Sequence, residues 1–167
     1  MRTVTAAGGS SLFFAVAPGV VAGVVPWALT GWSVRYDSLW WVPAQVVGSV
    51  ILAGCAAVLV HAFVRFVREG SGTPAPIAPT DRLVVGGLYR HVRNPMYVAV
   101  VGAILGQALV LGQPVLALYA AAAGAVMAAF VHWYEEPGLA RRYGADYEAY
   151  RRAVPAWRPL LRSRQPR

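Results

Sequence analysis

Four long apolar segments, at about residues 11–32, 42–64, 96–111 and 115–133, dominate the sequence. Each is near the roughly 17–25 residues that a helix needs to cross a hydrocarbon core, the third being slightly short. Ala, Val, Leu and Gly fill them without the period-2 alternation that a closed barrel would require. Charged residues make up only 13% of the 167 residues and hydrophobic ones 57%. A soluble domain carries about 25% charged residues. Most of the surface must therefore face lipid, and the expected fold is an all-α integral membrane protein, one domain over 1–167.

The pattern of breaks supports four transmembrane helices. Pro18 and Pro26 lie inside the first segment, where neighbouring helices in a membrane can satisfy the carbonyls that a proline frees. That segment follows Arg2 and is longer than a signal peptide's apolar core of about 7–15 residues, so it is expected to be retained. Trp27, Trp32, Trp40 and Trp41 cluster around the first connection, as interfacial aromatics do. Gly112, Gln113 and Pro114 alone join the last two segments, which forces an antiparallel hairpin. Gln45 and Gln107 suit helix-joining hydrogen bonds, and Gly102 with Gly106 form a small-xxx-small pair for close helix packing.

All 15 basic residues are arginine. With the N-terminus cytoplasmic, four spans leave only Arg35 outside, so the other 14 of the 15 lie inside. The positive-inside rule selects this N-in, C-in orientation. A net charge of +8 placed in loops meets anionic headgroups rather than nucleic acid. Cys55 stands alone, and His61, His91 and His132 have no zinc-ligand spacing, so no metal is expected.

Two polar clusters flank the hairpin: Tyr89 to Tyr97 at its entry and Glu135-Glu136 at its exit. An antiparallel hairpin returns its ends to one face, so these clusters, about 40 residues apart in sequence, become neighbours. Tyrosine rings, guanidinium groups and carboxylates at headgroup level suit a charged ligand carrying a nucleoside and a sulfonium. A purely structural arrangement has Arg90 and Arg93 as inner-face anchors and Glu135-Glu136 paired with Arg141 or Arg142. Beyond Glu135-Glu136-Pro137, Leu139, Tyr143, Tyr147 and Tyr150 recur at helical spacing, which predicts an amphipathic helix along the membrane surface in the tail 135–167.

The run Leu83-Val84-Val85-Gly86-Gly87-Leu88-Tyr89-Arg90-His91-Val92-Arg93-Asn94-Pro95-Met96-Tyr97 resembles a signature of the isoprenylcysteine carboxyl methyltransferase family. Glu135-Glu136-Pro137, Tyr143-Gly144-Ala145-Asp146-Tyr147 and Val154-Pro155 resemble its C-terminal pattern in order and spacing. Gly72-Thr73-Pro74-Ala75-Pro76 is similar to a stretch in bacterial members, and phospholipid methyltransferases are more distantly similar. The resemblance implies a methyltransferase of the bacterial cytoplasmic membrane that uses S-adenosylmethionine and a lipid-like acceptor. Its cofactor site would use the loop 70–95 and the end of the fourth span, lined by Leu83, Val84, Tyr89, Asn94, Pro95, Met96, Tyr97 and Glu135, with Glu136 a weaker candidate. Two positions depart from the prenylcysteine enzymes, which usually have His at Asn94 and Arg at Val131. The second departure falls on substrate handling rather than on the cofactor. A phospholipid or small-molecule methyltransferase, or a non-catalytic membrane scaffold, are the competing readings.

Overall fold

The computed structural model describes residues 17–36, 38–69, 83 and 85–160, and among these there are helices and turns but no strand. The start of the first expected span, the loop from 70 to 82, Val84 and the tail from 161 lie outside the described residues. The first apolar helix, α1, is Ala17–Thr30. Helix α2 is Val42–Glu69, entered through a 3-10 turn at Leu39–Trp41. A second 3-10 turn, Gly87–Arg90, precedes α3, Pro95–Leu111. Helix α4, Pro114–Phe130, runs on through a π turn, Val131–Glu135, into α5, Glu136–Tyr143. Helix α6 is Ala145–Ala153. Two helical stretches, Leu39–Ala62 and Pro114–Tyr143, are long and apolar enough to cross a membrane; Ala17–Thr30 and Pro95–Leu111 are shorter apolar helices.

The chain forms two compact units. One comprises Ala15–Val60 and Met96–Val126; the other contains His61–Pro95 and Met127–Arg167. In the first, α3 and α4 make the expected hairpin. Gly112 takes the left-handed conformation at φ +63° and lets Gln113 N–H bond back to the Ala108 carbonyl at 3.0 Å, a tight helix ending. A methyl group on Gly124 would lie 3.5 Å from Val101, which fixes the antiparallel register. Ala99, Val100, Ala103, Ile104, Leu116 and Ala120 are buried between the elements of this unit. The outer face of α2 carries exposed Val46, Val47 and Val50, as a lipid-facing helix would.

Proline explains a local feature that occurs twice. A proline in a helix has no N–H for the carbonyl four residues back, and its ring crowds that carbonyl. Here Pro26 follows a π turn at Val20–Val24, and Pro137 follows the π turn at Val131–Glu135 with the same offset. The wider turn makes room for the ring. At the first site the freed carbonyls find side-chain donors: Gln107 Nε2 donates to Ala22 at 2.7 Å, and Tyr119 Oη to Val21 at 3.0 Å. Gln107 Oε1 in turn accepts from Trp32 Nε1 at 3.2 Å, and Gln45 Nε2 donates to the Val110 carbonyl at 3.4 Å. Both glutamines therefore join helices, as expected of amides in apolar segments.

The tail differs from the single amphipathic helix that its periodicity predicts. Gly144, at φ +52°, breaks it into α5 and α6. Tyr147 and Tyr150 turn inward and are only 2% and 4% exposed; with Val154 they form a small core against Leu83, Val85, Leu139 and Tyr143. The tyrosine stripe is thus a packed face within its own unit.

The small-residue pair on α3 permits a close helix approach. A Cβ on Gly48 would lie 2.7 Å from the Gly106 carbonyl oxygen and 2.8 Å from Leu109 Cβ, while one on Gly54 of the same helix meets nothing within 4 Å. Gly48→Ala should therefore destabilise the protein by about 1–3 kcal/mol through overpacking. Gly54→Ala should show no such loss. Unfolding by detergent titration measures both.

Candidate functional site

The two polar clusters that flank the hairpin meet in the unit containing 61–95 and 127–167. Arg93 is the centre. Its Nη1 donates to Glu136 Oε1 at 2.7 Å and to Tyr147 Oη at 3.0 Å, and its Nε donates to the Val154 carbonyl at 3.0 Å. Arg93 and Glu136 side chains are each 11% exposed, so this is a largely desolvated ion pair with its donors placed on oxygens. Removing one member of such a pair strands a buried charge. Arg151 approaches the other carboxylate oxygen of Glu136 at 3.7 Å from a more exposed position. The structure thus pairs Glu136 with Arg93 and Arg151, not with the Arg141 or Arg142 of the purely structural arrangement.

The backbone around Arg93 is held as firmly as its side chain. Arg93 N–H bonds to the Pro155 carbonyl at 2.9 Å and Asn94 N–H to that of Ala156 at 3.3 Å. Asn94 Nδ2 donates to the same Ala156 oxygen at 3.3 Å. Leu160 N–H bonds to the His91 carbonyl at 2.9 Å. His91 Nδ1 lies 2.8 Å from the Leu160 carbonyl and, because a carbonyl only accepts, carries the proton. Tyr150 Oη donates to the Tyr89 carbonyl at 2.7 Å. Residues 150–160 therefore form a strap along residues 89–94. Pro155 and Pro159 keep the strap from continuing α6, and residues 155 and 156 turn their carbonyls to the loop.

Of the residues singled out from the sequence, Leu83 is half-buried and packs on the Tyr147 and Tyr150 core. Tyr89 sits in the 3-10 turn, half-buried, and lies within electrostatic range of Glu135 at the end of the π turn. Asn94 is half-buried and Pro95 buried, at the start of α3. Met96 and Tyr97 continue the first turn of α3 in the other unit. Val84 lies outside the described residues. Tyr89, Asn94, Pro95, Glu135 and Glu136 thus belong to one unit, in which Arg93 links the loop to Glu136.

Arg93 itself, Tyr147, Tyr150 and the carbonyls of 154–156 were the residues whose part in this assembly sequence reasoning missed. The signal lay in the motifs: Arg93 stands in the first, and Tyr147 and Val154-Pro155 in the second. The position occupied by Val131 is buried and apolar, while His132 next to it is exposed, with Trp133 beside its ring. Among the described residues no cluster of His, Cys, Asp and Glu could hold a metal ion.

Burial, and after it the Glu135 carboxylate, push the Tyr89 hydroxyl well above its ordinary value of 10.0. Burial does the same to Tyr150, helped by Tyr89. Both remain neutral hydrogen-bonding phenols throughout the physiological range. A proton held more tightly in the folded than in the unfolded chain favours folding below the unfolded value and is lost as a benefit above it. Stability should accordingly be insensitive to these groups up to about pH 10 and fall as pH rises further. Tyr89→Phe and Tyr150→Phe should each flatten that fall, as read from unfolding free energies measured across alkaline pH.

Comparison with known proteins identifies the family. A family model described as phospholipid methyltransferase matches residues 43–146. No curated protein and no solved structure matches the chain. The matched span holds α2 to α5 together with Tyr89, Arg93, Asn94, Glu135 and Glu136, and ends just before Tyr147. With well over half its length covered, this apolar chain belongs to the phospholipid methyltransferase family of membrane methyltransferases.

Proposed function

We propose that the protein transfers a methyl group from S-adenosylmethionine to a lipophilic acceptor at the cytoplasmic face of the membrane. The carrying observation is the buried Arg93–Glu136 pair, which joins the two distant motifs that bear Tyr89 and Glu135. Family membership supports the reaction class. We read the four apolar helices as four spans with both ends inside, which puts this unit at the inner leaflet.

The residues present suit such a cofactor. A neutral Tyr89 offers a ring face to a purine or sulfonium and a hydroxyl for hydrogen bonding. Glu135 can accept from ribose hydroxyls or an amino group and adds a negative charge that favours a sulfonium. Arg90, exposed at the end of the same turn, supplies a cation for a carboxylate. Leu83, Asn94 and Pro95 complete the proposed lining. The cofactor brings an activated methyl group that an acceptor takes by in-line displacement. The protein contributes alignment and exclusion of water, which suffice for an acceptor that is already a nucleophile.

The motifs point to two acceptor classes. The long motif resembles that of prenylcysteine carboxyl methyltransferases, whose acceptor is a carboxylate. Buried Val131, standing where those enzymes carry arginine, and the phospholipid methyltransferase match favour a lipid headgroup instead. Either acceptor reaches the site sideways from the bilayer. The exposed Trp133 and Tyr134, next to Glu135 in sequence, supply an aromatic surface at headgroup depth.

Calorimetry of the detergent-purified protein with S-adenosylmethionine should show binding, and Glu135→Ala should remove it. Unchanged affinity in Glu135→Ala would withdraw that residue from the site. A labelled-methyl assay with prenylcysteine and with phospholipid extracts then identifies the acceptor by which one takes up label.

A further inference from the structure

We infer that Glu136 is a positioning residue rather than a cofactor ligand: through Arg93 it anchors the strap at 150–160 to the loop at 89–94, and so holds the stretch that carries Tyr89. The inference rests on reading this site as the S-adenosylmethionine pocket and assigns its two adjacent glutamates different work.

Both carboxylate oxygens of Glu136 face guanidinium groups of the protein itself. Oε1 is held by Arg93 at 2.7 Å and Oε2 faces Arg151 at 3.7 Å. Arg93 also donates to Tyr147 and to the Val154 carbonyl, both outside the matched family span. Its backbone and that of Asn94 take the next two strap carbonyls, Pro155 and Ala156. One guanidinium thus joins three separate parts of the chain: the loop, the head of α5 and the strap. The same strap reaches Tyr89 through Tyr150, whose hydroxyl bonds to the Tyr89 carbonyl at 2.7 Å. Releasing Arg93 would leave the loop that carries Tyr89 to the remaining strap contacts, while Glu135 keeps its place in the helix that runs from α4 into α5. A pocket whose side must be reordered on binding loses affinity, while the complex once formed keeps its geometry.

The test compares Glu136→Gln, Arg93→Met and the double variant, all as full-length protein in lipid nanodiscs. Each single variant should weaken S-adenosylmethionine binding between about ten- and a hundredfold while the rate at saturating cofactor is retained. The double variant should be no weaker than either single one, because both act through one contact. Losses that multiply in the double variant would overturn the inference and make Glu136 a direct ligand. Amide hydrogen exchange supplies an arm that needs no ligand. In Glu136→Gln, protection should fall at Arg93, Asn94 and Leu160 and persist along α3. Unchanged protection at those three amides, or loss along α3 as well, would also overturn it. Absence of S-adenosylmethionine binding by the wild type would instead sink the proposed function, leaving exchange to decide whether Glu136 anchors the strap.

Discussion

A guanidinium withdrawn from water must find acceptors for its N–H groups or forfeit several kcal/mol of desolvation. In this protein Arg93 finds them on a carboxylate from the end of a long apolar helix, a phenol from α6 and a carbonyl from the strap beyond it. Each acceptor lies far from Arg93 in sequence, so meeting its needs fixes the ends of the chain's two linked motifs to each other. The hydrogen bonds of Asn94, His91 and Tyr150 extend the same join to either side. Take away the ion pair, and the loop that carries Tyr89 is held by the remaining strap contacts alone.

The apolar helices meet a related constraint in a different way. A carbonyl that proline has freed needs another donor wherever side chains keep water away. Around Pro26 the chain widens into a π turn and brings the side chains of Gln107 and Tyr119 to the orphaned oxygens. Around Pro137 the same widening occurs one turn before the head of α5. A π turn inserts an extra residue and rotates the helix beyond it, and such turns are frequent at functional sites. Here the wider turn spans Val131–Glu135 and leads directly into Glu136.

Much of this was legible in the sequence because hydropathy and chain connectivity dictate it. The two hairpin helices begin and end within a few residues of the expected breaks, and Gly112 and Gln113 make the turn that a short link demands. The convergence of the motif ends was likewise readable, since a hairpin leaves little choice. Periodicity was less informative in the tail. Tyr143, Tyr147 and Tyr150 repeat at helical spacing whether their face meets lipid or protein, and only Gly144 hinted at the break between α5 and α6. The partner of Glu136 was beyond reach for a similar reason. Local spacing favours Arg141 or Arg142, but the fold supplies Arg93 from 43 residues away. Two adjacent glutamates look alike in a sequence, and only the fold shows Arg93 bonded to Glu136.

The most direct measurement is photolabelling of the detergent-purified protein with an azido derivative of S-adenosylmethionine, followed by peptide mapping. Label should appear on the peptides carrying Tyr89 and Glu135 and be displaced by unmodified S-adenosylmethionine. Displaceable label confined to α1 or α2, or label that excess S-adenosylmethionine does not displace, would contradict the account.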